Sequence, residues 1–480
     1  MSEPSRVSLL PPPGSVERRQ LAILLAVTLL SRLLLFPRTP FDVDAVLLTR
    51  GVVSFDPTAM RPHPPGYPGL IALAAALPVG PALALRLVSA FSSVPLVLGT
   101  YALARRLGSD ALLAAALMAA NPIAWLYGVT ENAYGLGGAG AVWVAFFALN
   151  AREREGQAPA AMLGLALGLA SAARPSLLAF LAPLALWAAG PRRWPAFLGG
   201  LAPPTLLWLL YCGQASGGME SYFASVEHQF AWIREGHPDF WRWHQVHHLS
   251  MYCVQALAGG VVLLPWLRRP ARGGTLLLAW AAVPFGFDLF VYVAKPGYLL
   301  EILPALIVAL AASRAPAPAR VLSVALSALF FLGLRPVNLE LDATPRLAFG
   351  QKTWPERIAS ELSFIAMSSH ARLRQQDEAN EAYVRLLSGA IEPGHTAVIW
   401  VDRWDPAIAA ELMPEARVID PRSPHLGVPA TGLRVVLLAW EAPEGFTPIT
   451  DDAGYGAFVR EISVSDLPMK VGNVELLPAF

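Results

Sequence analysis

The chain has 480 residues, of which 55% are hydrophobic and only 15% charged. Soluble domains run near a quarter charged, so most of this chain cannot be an ordinary soluble fold; it reads as a polytopic α-helical membrane protein. A formal net charge of +1 carries no message about nucleic acid. With only Cys212 and Cys253 available, a disulfide scaffold and a cysteine metal cluster are both excluded. The two are expected as free, lipid-shielded thiols, although a common side of the membrane would permit one bridge.

Residues 1–19 are polar and Pro-rich and read as a cytoplasmic tail. The apolar run that follows lacks a small-residue cleavage site, which marks an uncleaved span rather than a signal peptide. A crossing needs about 20 apolar residues, and the pattern offers eleven candidates: 20–36, 83–104, 110–128, 133–150, 159–173, 175–190, 196–212, 250–267, 274–293, 297–312 and 320–335. The run at 68–79 is half a bilayer long and closed by Pro78 and Pro81. If it stays on one side, Arg18/Arg19, Arg105/Arg106, Arg152/Arg154, Arg192/Arg193, Arg268/Arg269/Arg272 and Arg314/Arg320 share one face. The positive-inside rule makes that face the cytoplasm, and 68–79 is then a juxtamembrane or re-entrant helix.

The same parity puts 37–82, 129–132, Arg174, 213–249, 294–297 and the tail 336–480 on the outer face. Within the first outer loop, 37–82, the stretch FDVDAVLLTRGVVSFDPTAMRPHPPGYP concentrates Asp42, Asp44, Arg61, His63 and Tyr67. Ionisable groups clustered beside a bilayer mark function, and here they are weighed against an ordinary wet loop. Glu131 and Asn132 begin the fourth span, Arg174 separates two short helices, and Lys295 and Tyr298 open the tenth with Glu301 about a turn inside. The loop 213–249 is rich in Trp, Tyr, Phe and His, as an amphipathic segment at the interface would be.

Beyond Arg335 the composition turns to mixed charge. Residues 354–388 read as helix, and 396–404, 416–420 and 434–440 as short strands, giving a small soluble α/β domain over 336–480. It has no glycine-rich phosphate loop, nucleophile elbow or zinc spacing, so an accessory role is expected.

His63, beside two prolines, fits a turn or a substrate contact better than a metal site. His237, His244, His247 and His248 lack a matching carboxylate spacing and fit packing with Trp241 and Trp243. Arg174 and Lys295 need partners at the membrane: either a lipid phosphate or, for an internal ion pair, Glu131 or Glu301. Arg32 is read as snorkelling outward with Arg38, and neither it nor Arg86 is given a role.

An acidic motif in the first outer loop, a His-Pro-Pro turn leading into a juxtamembrane helix, then Arg-bearing and Tyr-bearing spans, resembles the GT-C glycosyltransferases. These include the protein O-mannosyltransferases and the aminoarabinose transferases of lipid A. FDVDAVLL matches the acidic site, RPHPPGYP the His-Pro-Pro segment, GLASAARPS the arginine turn and AKPGYLLEILP the late basic and tyrosine span. The likeness covers roughly 20–335 and leaves the tail outside. The motif is Asp-Val-Asp here in place of the usual acid-acid pair, so the acting carboxylate is either Asp42 or Asp44.

The resemblance implies a polyprenyl-phosphate sugar as donor, a lipid, glycan or protein acceptor, and a first-loop aspartate as base in a single inverting displacement. Arg174, Lys295 and Arg61 would steady the departing phosphate, with His63, Tyr67, Glu131 and Tyr298 contributing to substrate binding. No cofactor is expected; a divalent metal is left open. A transporter or lipid flippase is the rival reading, but transporters of that kind show paired repeats and midplane charge, and here no repeat is seen and the polar groups gather on one face.

Overall fold

In the computed structural model the described residues are 14–236, 243–267, 273–291, 295–333, 368–390 and 406–414, together with the backbone of eight strands. The basic cluster 268–272, His237, Trp241, the side chains of Trp243 and His244, and residues 354–367 lie outside them. Two compact units divide the chain. The first comprises 1–36, 47–337 and 358–372; the second comprises 37–46, 338–357 and 373–480.

The first unit is helical: α1 (Ser15–Leu33), α2 (Val43–Val53, whose first turn belongs to the second unit), α3 (Pro68–Ala75), α4 (Pro81–Arg106), α5 (Ala111–Ala120), α6 (Pro122–Val129), α7 (Tyr134–Glu153), α8 (Ala158–Ala173), α9 (Ser176–Ala189), α10 (Trp194–Ala215), α11 (Met219–Gly236), α12 (Trp243–Leu257), α13 (Gly274–Phe290), α14 (Leu303–Ala311) and α15 (Ala317–Gly333). Each of the eleven apolar runs contains a helix. Helices at 81–106, 134–153, 191–215 and 246–266 are long and apolar enough to cross a membrane alone. A fifth candidate is the α5–α6 pair, bent by 56°. Eight residues of α3 reach only about 12 Å at the α-helical rise, too short to cross.

The sequence accounts for these breaks. At the α5–α6 bend Pro122 cannot donate to the preceding turn, and Asn121 caps the new helix, its Oδ1 accepting from Ile123 N at 3.0 Å. Its Nδ2 donates to the Ala256 carbonyl at 2.8 Å, which ties the bend to α12. Small residues set the tightest helix contact. A Cβ on Gly164 would stand 2.0 Å from the Phe197 carbonyl oxygen, and one on Gly168 2.4 Å from Pro204 Cγ. This spacing of four lets α8 and α10 approach backbone to backbone, the usual source of association between helices where lipid removes the hydrophobic drive.

One correction concerns Arg32. It does not snorkel: it is 2% exposed, lies 4.5 Å over the Trp125 ring and donates to the Ala119 carbonyl at 2.5 Å. A guanidinium is weakly hydrated and stacks on aromatic faces, so it can be held inside α1, α5 and α6. Cys212 and Cys253 are both free.

In the second unit, residues 37–46 are joined by α16 (His370–Ala390, whose first three residues belong to the first unit), α17 (Pro406–Leu412) and strands β1 (Thr396–Val401), β2 (Arg417–Ile419), β3 (His425–Val428), β4 (Leu433–Leu438), β5 (Thr447–Thr450), β6 (Gly456–Ile462), β7 (Met469–Val471) and β8 (Val474–Pro478). One sheet runs β2-β1-β4-β6-β5 and a second β3-β8-β7. β1 is parallel to β2 and β4, whereas β6 is antiparallel to β4 and β5. A parallel neighbour needs a crossover, which α17 supplies between β1 and β2.

Candidate functional site

In the first unit the polar groups converge on Arg174. This residue ends α8, with an extended backbone that stops the helix and turns its side chain toward α7 and the 3-10 turn Pro296–Glu301. Its Nε donates to Glu301 Oε1, and the two side chains are 5% and 2% exposed. Two tyrosines in contact with each other, centroids 5.5 Å apart, pack against the guanidinium, with ring centroids 4.3 Å (Tyr134) and 5.1 Å (Tyr298) from its central carbon. Tyr127 packs against Tyr134 at 4.8 Å, and Tyr67 is near enough to act on Arg174 electrostatically.

Glycines create the room. A Cβ on Gly137 would meet Arg174 Cδ at 2.7 Å, and one on Gly297 would meet Tyr134 Cγ at 2.6 Å. The positive φ region does not enter here; close approach alone excludes a side chain.

Glu131 belongs to a separate pair. It is 1% exposed and receives Arg86 Nε at 2.6 Å and Nη2 at 2.5 Å. Beside it Asn132 shapes the turn into α7: Oδ1 accepts from Tyr134 N at 2.8 Å, and Nδ2 donates to the Tyr127 carbonyl at 2.8 Å. This turn therefore sets the Tyr134 ring against Arg174. Lys295 is the residue before the 3-10 turn that carries Tyr298.

The His-Pro-Pro segment is a rigid turn. Asp56 caps the 3-10 turn Pro57–Ala59 and bridges to Arg61 through paired backbone bonds, with Arg61 Nη2 3.7 Å from its carboxylate. The Thr58 hydroxyl, chiefly, with backbone N–H groups and Arg61, holds the Asp56 carboxyl below the usual range. His63 Nδ1 lies 3.0 Å from the Pro64 carbonyl, and its ring meets Tyr67 edge-on at 5.2 Å. On α11 the Tyr222 hydroxyl donates to the Pro65 carbonyl at 3.0 Å. Burial pushes that phenol well above its ordinary value, so it remains a donor.

Asp42 and Asp44 lie in the second unit. Asp42 caps α2, its Oδ1 accepting from Ala45 N at 2.9 Å, and Asp44 stands in the first turn.

The residue missed by sequence reasoning is Asp288 on α13. It is 1% exposed, its Oδ2 finds no hydrogen-bond donor among the described residues, and the charges acting on it are Glu301 and Arg174. A lone carboxylate inside the apolar run FGFDLF was the available signal. An apolar cavity of about 470 Å³ opens beside this cluster, lined among others by Cys253, Leu277, Phe285, Leu299, Ile302 and Leu306. Among the described residues no three of His, Cys, Asp and Glu stand close enough to hold a metal ion.

Residues 62–202 match the family model described as dolichyl-phosphate-mannose-protein mannosyltransferase. The solved structure of ArnT from Cupriavidus metallidurans in its apo state superimposes with a TM-score of 0.54 at 14% identity, covering 93% of this chain and 98% of that one. The chain has the GT-C glycosyltransferase fold. The same ArnT bound to undecaprenyl phosphate gives a TM-score of 0.53 at 15% identity, covering 92% of this chain and 97% of that one. No curated protein sequence matches significantly. The matched segment 62–202 contains the His-Pro-Pro turn, the Glu131 turn, Tyr134 and Arg174, whereas Asp288, Tyr298 and Glu301 lie beyond it.

Proposed function

We propose that the chain is a membrane glycosyltransferase that moves a sugar from a polyprenyl-phosphate donor to a lipid, glycan or protein acceptor. The reaction takes place on the outer face of the cytoplasmic membrane, with eleven crossings and the tail on that face. The observation that carries this reading is a buried arginine packed against Tyr134 and Tyr298 in a fold that matches ArnT over nearly its whole length. The neighbour's undecaprenyl phosphate supports a donor of the same chemistry.

Phosphate is a good leaving group, so the chain has two tasks: to take a proton from the acceptor hydroxyl and to receive the charge that departs. An aspartate of the first loop takes the proton. The acceptor oxygen then bonds to the anomeric carbon from the face opposite the phosphate, and the carbon–oxygen bond breaks with its electron pair passing to the polyprenyl phosphate. One base and one displacement invert the anomeric centre.

The cap to Ala45 N orients the Asp42 carboxylate and leaves Asp44, in the first turn of α2, as the alternative base. Arg174 is matched to a phosphate by its planar donors and would exchange Glu301 for it as the donor enters. Lys295, Arg61, His63, Tyr67, Glu131 and Tyr298 complete the binding set, and no cofactor takes part.

The test is reconstitution of the full chain with a panel of polyprenyl-phosphate sugars, with wild type compared with Asp42→Asn and Asp44→Asn by mass spectrometry. Donor consumption that depends on one aspartate supports the reading and names the base. Equal consumption by both variants removes the aspartates from it.

A further inference from the structure

The segment that leads into Asp42 is bound by residues from the opposite end of the sequence. Asp377 on α16 accepts from the Arg38 backbone N–H at Oδ2, 2.9 Å, and from both the backbone N–H and the hydroxyl of Thr39 at Oδ1, 2.8 Å each. Asn380 Nδ2 donates to the Thr39 hydroxyl at 2.8 Å, and Gln376 donates to the Phe41 carbonyl. Outside these, Arg38 Nε pairs with Glu381 at 3.2 Å. Residues 376, 377, 380 and 381 share one helix face, since positions three and four apart are neighbours. Asp377 is 2% exposed, Asn380 3% and Thr39 6%.

The pairing is close to complete. In PRTPF, Pro37 and Pro40 have no N–H to offer, and of the three donors that remain Asp377 takes two. A buried carboxylate is costly unless it is hydrogen-bonded, and bonds to a charged acceptor are the strong ones, so the carboxylate and the segment hold each other. Phe41, the last residue bound, is followed by the capping Asp42.

We propose that Asp377 and Asn380 are positioning residues: they fix residues 38–41 and through them the direction in which Asp42 and Asp44 present their carboxylates. The inference rests on the glycosyl-transfer reading and assigns the C-terminal region a part in the reaction. A general base acts only within hydrogen-bond reach of its proton, and a displacement near 1 Å costs on the order of a hundredfold.

The test uses the full chain in nanodiscs, with Asp377→Ala, Asp377→Asn, Asn380→Ala and Thr39→Val. Amide hydrogen exchange of the peptide spanning 37–46 reads the clamp. Steady-state turnover of undecaprenyl-phosphate sugars reads the chemistry. Asp377→Ala is expected to speed exchange in that peptide and lower kcat by about tenfold or more, with the donor KM unchanged. Asp377→Asn, which keeps the Oδ1 acceptor for Thr39, should recover part of both, and Thr39→Val, which loses only a hydroxyl, should fall between them.

Unchanged exchange in Asp377→Ala overturns the clamp. Faster exchange with an unchanged kcat overturns the positioning role. A wild type that consumes no donor overturns the transfer reading and the catalytic half of this inference, while exchange still decides whether Asp377 holds the segment.

Discussion

Arg174 and Glu301, 127 positions apart, form an ion pair whose members are 5% and 2% exposed. Removing one partner of a buried pair strands the other charge, at about 3–5 kcal/mol. Arg174→Ala and Glu301→Ala should therefore each lower the unfolding temperature strongly, and the double variant should lose less than the sum. Thermal unfolding of the four proteins in nanodiscs completes the cycle, and simple additivity would mean that the pair is not coupled.

Gly297→Ala places a Cβ 2.6 Å from Tyr134 Cγ and 2.8 Å from Tyr127 Cζ. Overpacking of this sort costs about 1–3 kcal/mol. Because the displaced atoms belong to the ring against Arg174, turnover should fall further than stability does. Gly286, with nothing within 4 Å of its Cβ position, is the control, and Gly286→Ala should retain turnover.

Asp56 gives a pH dependence. Its folded pKa lies below the ordinary 3.8, chiefly through the Thr58 hydroxyl, so the unfolded chain binds the proton more readily. Its contribution is fully present above the ordinary value and fades as pH falls through the lower folded one. Asp56→Ala should thus destabilise the turn at neutral pH, by about 1 kcal/mol for a lost cap, with the difference from wild type shrinking below pH 3.8. Unfolding curves across that range check it.

The scheme uses no metal. Dialysis against a chelator should leave turnover unchanged, and loss that added divalent metal restores would require a metal in the site.

The helices of the first unit were legible because lipid demands continuous apolar runs, and their interruptions at Pro122, Pro175 and Pro296 are read from prolines, which cannot continue a helix. Register between helices was not. Glu131 and Glu301 were equal candidates for Arg174 in the sequence, and only packing assigns Glu301 to it and Arg86 to Glu131. Arg32 was misjudged for the same reason: the ring that shields it, Trp125, comes from another helix. Asp377 acts across 338 positions, and no local pattern announces such a contact. Strands β3, β7 and β8 have only three to five residues, too few for alternation to stand out.

The most direct test of the central claim is to supply the reconstituted chain with undecaprenyl-phosphate sugars of known anomeric configuration. The released lipid is then followed by mass spectrometry and the product anomer by NMR. Glycosyl transfer predicts release of undecaprenyl phosphate with an inverted anomeric centre. Intact donor across the panel in the presence of acceptor, or a product of retained configuration, would contradict it.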